Sequence, residues 1–248
     1  MKYFFSIICL NFSISIFSQN LVTEKLEAIV KEYEGFESFD TEKYPLGDFS
    51  ENRFKNEYDF FIQIHSRLSR ISLKDLSENE KISYELLLFI IENKINNYNF
   101  NTRYNPILSD SGFHNSIIYN VRDLKNKKDA IKYLNLLKAI PLYVDQNIYL
   151  IQKGIDTGIS QPKIIFEGYE NSYDKHITVD YKDNYYYTPF LKLPDNISSS
   201  LKDSLTKEAQ KTINKSVIPS FKRIKSFFEK NYFPFTRDKI SISSIPNG

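Results

Sequence analysis

A hydrolytic metal centre needs imidazole and carboxylate ligands at fixed spacing, most compactly as H-E-x-x-H, which sets two rings on one face of a helix. The chain has three histidines. His65 is followed by Ser-Arg-Leu-Ser, His114 by Asn-Ser and His176 by Ile-Thr-Val, so none has a Glu beside it or a second histidine one turn away. His65 shares a helical stripe with Phe61 and Leu68 and reads as a partly buried core residue. His176 falls in a Tyr-rich connector and is expected at the surface. His114, in Ser111-Gly112-Phe113-His114, is the one that a Gly-containing loop could present to a substrate; hydrogen bonding within the fold is its default role.

Other chemistry is equally sparse. There is no G-x-S-x-G elbow, and the seven glycines build no phosphate-cradling loop. Glu167 and Glu170 form a carboxylate pair of a kind common on helices. Tyr185-Tyr186-Tyr187 could line a sugar or peptide groove, and packing across the connector explains it as well. The substrate-facing candidates are therefore Gly112, His114, Tyr186 and Asn247, with no catalytic residue and no metal ligand assigned.

The elements that would position these residues are helical. The stripe of Leu21, Leu26, Ile29, Val30 and Tyr33 closes at Gly35, and a loop through Pro45-Leu46-Gly47-Asp48 leads to a second stripe of Phe54, Tyr58, Phe61, Ile62, His65, Leu68 and Ile71. Ser77-Glu78-Asn79-Glu80 is a capping box. It opens a helix with Ile82, Leu86, Leu87, Leu88, Phe89, Ile90 and Ile91, apolar nearly all round and so expected at the centre of the fold. Asn97 to Asn115 reads as a long ordered loop. A cap at Asn126 to Asp129 starts a helix through Ala139, and Pro141 is placed where a new helix begins, running to about Asp156 with Gly158 as its left-handed stop. Pro162 opens a short helix through Tyr169, and residues 171–196 are irregular. A last helix spans Ser198 to about Tyr232, kinked at Pro219 and ended by Pro234. Lys239 to Ile245 alternates like a strand. The expected fold is an all-α, irregular multi-helix array with a long kinked C-terminal helix and a terminal unpaired strand.

Lys2, the apolar run Tyr3 to Phe17 and Ser18-Gln19 have the form of a signal peptide, with cleavage expected after Ser18 and export to follow. Ile8 before Cys9 argues against a lipidation site. Cleavage removes the one Cys and the one Met, so the mature chain can form no disulfide and offers no thiol ligand. The run is shorter than the roughly 20 apolar residues of a membrane span, and none is expected in the mature chain. With 20 Phe and 18 Tyr and no Trp, a large share of the core must be aromatic. The net charge of +2 comes without a basic stripe, which argues against a nucleic-acid partner.

A set of ordered motifs adds a resemblance. Tyr133-Leu134-x-x-Leu137-Lys138-x-Ile140-Pro141-x-Tyr143-x-Asp145-Gln146 precedes Gly154-x-x-x-Gly158-Ile159-x-x-Pro162. Pro189-Phe190, Leu193-Pro194, Val217-x-Pro219-Ser220-Phe221, Phe227-Phe228-Glu229-x-x-Tyr232-x-Pro234, Arg237 and Ile245-Pro246-Asn247-Gly248 follow, with Gly112-x-His114 upstream. Together they resemble the bacterial family known as domain of unknown function 885, from about Tyr33 to the last residue, although Ile245 stands where Leu is usual and the charges around the glycine pair are thinned. The resemblance implies an exported, zincin-like protein with zinc-peptidase-like character. Its H-E-x-x-H and a Glu-bearing helix would lie in a second half beyond Gly248, so zinc is expected only there and none in this chain.

The chain then reads as the N-terminal scaffold and substrate-cleft half of such a protein: residues 1–18 a signal peptide, residues 19–248 a helical part incomplete at its C-terminus and inactive alone. Its partners would be the missing half and a peptide substrate. The Ile82 to Ile91 helix and the stripe of Val217, Phe221, Ile224 and Phe228 are expected to pack partly against that half. The competing reading is a free-standing exported helical protein that binds a peptide or glycan.

Overall fold

The computed structural model describes residues 21–108, 110–246 and 248; the expected signal peptide with Cys9, and Asn247, lie outside the described residues. The fold is all-α. Among the described residues there is no β-sheet, only the isolated bridges Ile107↔Gly112 and Pro162↔Arg237. No helix among them is long and apolar enough to cross a membrane. Contacts divide the chain into two units, one of Met1–Ser38 with Glu51–Phe100, the other of Phe39–Ser50 with Asn101–Gly248.

The first unit is built from α1 (residues 21–34), α2 (Glu51–Leu68) and α3 (Glu78–Asn99). Leu26 and Ile29 of α1, Phe61, Ile64 and Leu68 of α2, and Tyr84, Leu87 and Ile91 of α3 form its core. The capping box at the start of α3 is closed in both directions: Glu80 N–H donates to Ser77 Oγ at 3.4 Å, and Ser77 N–H to Glu80 Oε2 at 2.7 Å. Hydrogen bonding from the Ser77 hydroxyl, then from Thr23 and the Ser77 backbone N–H, holds the Glu80 carboxyl below its ordinary range. His65 is half-exposed, 3.6 Å from Glu92. The expectation that α3 is central fails. Ile82, Leu86 and Phe89 are 65%, 58% and 64% exposed, because two neighbouring helices cover a single stripe of α3 and leave the opposite face bare.

The second unit is organised by two long helical runs. α5 (Lys127–Asp156) starts at the expected cap, Asp129 N–H donating to Asn126 Oδ1 at 2.9 Å. It then passes straight through Pro141, where a new helix was expected. Leu137, Ile140 and Val144 around the proline are all fully buried, and that packing outweighs one missing backbone hydrogen bond. The second run joins α7 (Ser199–Thr212), a π-turn (Ile213–Val217), α8 (Ile218–Phe227) and a second π-turn (Phe228–Tyr232). The first π-turn sits immediately ahead of Pro219 and makes room for its ring. Val217, Phe221, Ile224 and Phe228 are wholly buried inside this unit, so this stripe is complete without further elements, contrary to expectation. Motif residues tie the two runs together: Lys138 pairs with Glu208 at 2.8 Å and Asp145 with Arg223 at 2.9 Å. Gln146 holds the 45–50 loop, accepting from Phe49 N–H and donating to Asp48 Oδ1, both at 2.9 Å.

Outside the two runs lie single turns. The stretch expected as a loop from Asn97 begins later, since α3 continues to Asn99, and it contains α4 (Phe113–Ser116). The Tyr-rich connector contains α6 (Asn171–Asp174) and a 3-10 run, Tyr185–Lys192. Lys239 to Ile245 is not a strand. Arg237 gathers it into a compact turn, its guanidinium donating to Ser241 O at 2.7 Å, to Ser244 Oγ at 2.8 Å and to Lys239 O. Ile240 and Ile242 stay exposed, with no sheet to bury them.

The end of α5 explains the glycine pair. Gly158 has φ +78, Ile159 N–H donates to Gly154 O at 2.7 Å and Gly158 N–H to Ile155 O at 3.0 Å, the paired bonds of a Schellman stop. A Cβ on Gly154 would lie 2.5 Å from the Tyr104 carbonyl oxygen. Gly158→Ala is expected to cost about 1 kcal/mol, the penalty for a Cβ at positive φ. Gly154→Ala should cost more, since backbone must retreat. Urea unfolding of the two variants tests the order; equal midpoints would count against these roles.

Candidate functional site

A cleft of about 330 Å³ lies between α4 and α6, lined among others by Asn115, Tyr119, Asn171, Ser172, Lys175 and His176. α4, which lines it through Asn115, is preceded by Gly112. The backbone there is extended, and what requires glycine is proximity: a Cβ would lie 2.9 Å from Tyr169 Oη and 3.1 Å from the His114 ring. That approach carries Phe113 and His114 into the core, both buried.

His114 is fully buried, ringed by Phe113, Tyr169, Tyr173 and Phe228 at centroid distances of 5.3, 5.5, 6.4 and 5.4 Å. Phe228 belongs to the second π-turn, a feature found often at functional positions. His114 Nε2 lies 2.8 Å from Ser172 Oγ, and the Ser172 hydroxyl donates to the Tyr169 carbonyl at 2.6 Å. A carbonyl only accepts, so the single Ser172 proton is committed there and His114 Nε2 must be the donor. His114 Nδ1 is then a buried acceptor without a protein partner, as is the Tyr169 hydroxyl.

This is not a nucleophile with its base. The proton runs from imidazole to serine to carbonyl, opposite to the direction in which a base activates a serine. Burial, then repulsion from His176 and Lys175, holds the His114 pKa down to about 3, too low for a general base near neutral pH. Among the described residues no group of three or more His, Cys, Asp or Glu is placed to hold a metal ion.

His176, expected at the surface, is buried, its ring 5.0 Å from Tyr186 and 4.5 Å from Phe221. Asn184, itself buried, donates to the His176 carbonyl at 2.9 Å and draws the connector inward. Tyr186 is buried too, and its carbonyl accepts from the Tyr133 hydroxyl at 2.9 Å. None of Gly112, His114 and Tyr186 lines the cleft: His114 is joined to its wall through Ser172, and Tyr186 packs on His176. Ser172, Asn115 and Asn171 were missed, because isolated polar residues in an irregular stretch carry no spacing signal.

The segment after Gly158 ties several parts of this unit together. Gln161 Nε2 donates to Ile107 O at 2.6 Å, anchoring the loop that leads to Gly112, while Gln161 N–H donates to Tyr232 Oη at 2.9 Å. Arg237 Nε donates to Ser160 O at 2.8 Å, and the backbones of Arg237, Gln161 and Lys163 exchange two further bonds.

An all-α chain with a polar cleft over a buried, neutral histidine is the class that fold and site define. The model of a bacterial family of unknown function, DUF885, matches residues 31–248, and the chain belongs to that family. Neither a curated protein nor a solved structure matches it.

Two buried histidines give the stability a pH dependence. His176, mainly through burial and then Lys175, is held down to about 4, against an ordinary value of 6.5. Both rings are neutral in the fold and protonate readily once unfolded, so the stabilisation is full above about pH 6.5. It is lost as pH falls toward the folded values, by roughly 1.4 kcal/mol per pH unit for each ring. Urea unfolding between neutral pH and about pH 4.5 should show this slope, and His114→Gln should reduce it. A flat profile would contradict the burial of neutral rings.

Proposed function

We propose that the chain is the N-terminal, cleft-forming part of an exported zinc-peptidase-like protein, acting as scaffold rather than catalyst. The observation that carries this reading is the family match over residues 31–248, joined to the zincin-like character that the motif resemblance implies. On this reading residues 1–18 are removed on export, and zinc is held by a downstream part that supplies H-E-x-x-H. Among the described residues no group of three or more His, Cys, Asp or Glu stands together to hold it. On this reading Gly112, His114 and Tyr186 support the cleft from behind its lining, and Asn247 is a further substrate-facing candidate. The substrate would be a peptide.

Sequencing the coding DNA past the Gly248 codon is the first test, and H-E-x-x-H within a few hundred codons is the expected result. Purified alone, the chain should cleave no peptide; co-expressed with the downstream part it should gain an activity that a Glu→Gln change in H-E-x-x-H removes. Absence of the motif in every frame, or peptidase activity in the chain alone, would overturn the reading.

A further inference from the structure

We propose that the cleft between α4 and α6 binds a short neutral glycan, at the scale of a disaccharide. Its volume of about 330 Å³ falls in the range of small-ligand sites. Tyr119 stands at the cleft 86% exposed. It offers an aromatic face on which the C–H face of a sugar ring can lie, with the phenol left as a polar tip. The side chains of Asn115, Tyr119 and Lys175 have no hydrogen-bond or ion-pair partner among the described residues, which leaves amide, phenol and ammonium groups free for ligand hydroxyls. Ser172 accepts from His114 and donates to Tyr169, and retains one lone pair. Below it, His176 is 3% exposed and its Nδ1 meets no protein partner, a cost that a hydroxyl reaching the floor would offset.

The same inventory argues against other ligands. The single cation at the cleft, Lys175, is balanced by Asp110, so neither an anion nor a cation finds a surplus of opposite charge. A peptide bound by strand addition needs free backbone groups. Here the N–H groups of Asn115, Ser116, Ser172, Asp174 and His176 are all spent within the turns. Mixed donors and acceptors, one aromatic face and near-zero charge suit a polyhydroxylated neutral molecule. The inference stands apart from the metallopeptidase reading, and either can fail without the other.

The test is titration of the full chain with N,N′-diacetylchitobiose, maltose and cellobiose, followed by calorimetry and by amide shifts, with acetate and N-acetyl-dialanine amide as anion and peptide probes. Saturable binding of at least one disaccharide is expected, in the roughly millimolar range. Tyr119→Ala and Asn115→Ala should each weaken it about tenfold with the melting midpoint unchanged. Both positions lie outside the core, so loss of binding is separable from loss of fold. Failure of all three sugars to bind, binding unaffected by both variants, or preference for acetate or the dipeptide would overturn the proposal.

Discussion

The stop at Gly158 is the constraint on which the second unit depends. By taking the left-handed conformation it ends α5, and the chain leaves the helix through residues 159–163. The backbone groups of that segment cannot be left bare, and two distant parts of the chain satisfy them. Tyr232 takes the Gln161 N–H, Arg237 takes the carbonyls of Ser160 and Gln161 and supplies its own carbonyl to Lys163 N–H, and the Gln161 side chain reaches back to Ile107. The loop to Gly112, the second π-turn and the C-terminal turn are therefore all referenced to one short stretch. Family motif residues that look scattered in sequence, among them Gly154, Gly158, Tyr232 and Arg237, meet here.

This arrangement also explains why the histidine beneath the cleft is a structural group. With the loop anchored through Ile107 and the π-turn through Tyr232, Gly112 is set against Tyr169 and its neighbour His114 is ringed by aromatics. In such surroundings a charge is expensive, so the imidazole stays neutral and spends its proton on Ser172.

What could be read from the sequence followed the strength of the local signal. The capping box at Ser77 and Glu80, the Asn126 cap and the Gly158 stop are short-range devices whose residues are adjacent, and each is in place. Pro141 misled because its cost is local, whereas the burial of Leu137, Ile140 and Val144 that offsets it is tertiary. The alternation from Lys239 to Ile245 misled in the same way: a period of two specifies a strand only beside another strand, and the Arg237 guanidinium offered a closer set of partners. At the site, Gly112 and His114 were visible as a loop motif. His176 was read as exposed because nothing nearby in sequence reveals that Asn184 pulls its carbonyl inward.

Native-state hydrogen exchange on an Arg237→Lys chain tests the central role of the 159–163 segment most directly. A lysine keeps the charge but cannot reproduce the planar fork that reaches Ser160, Ser241 and Ser244 together. The account predicts that the amides of Gln161 and Lys163 exchange at least about tenfold faster, by local opening, while those of Leu137 and Val144 within α5 keep their protection. Unchanged protection at Gln161 and Lys163, or a loss spread evenly through α5, would contradict it.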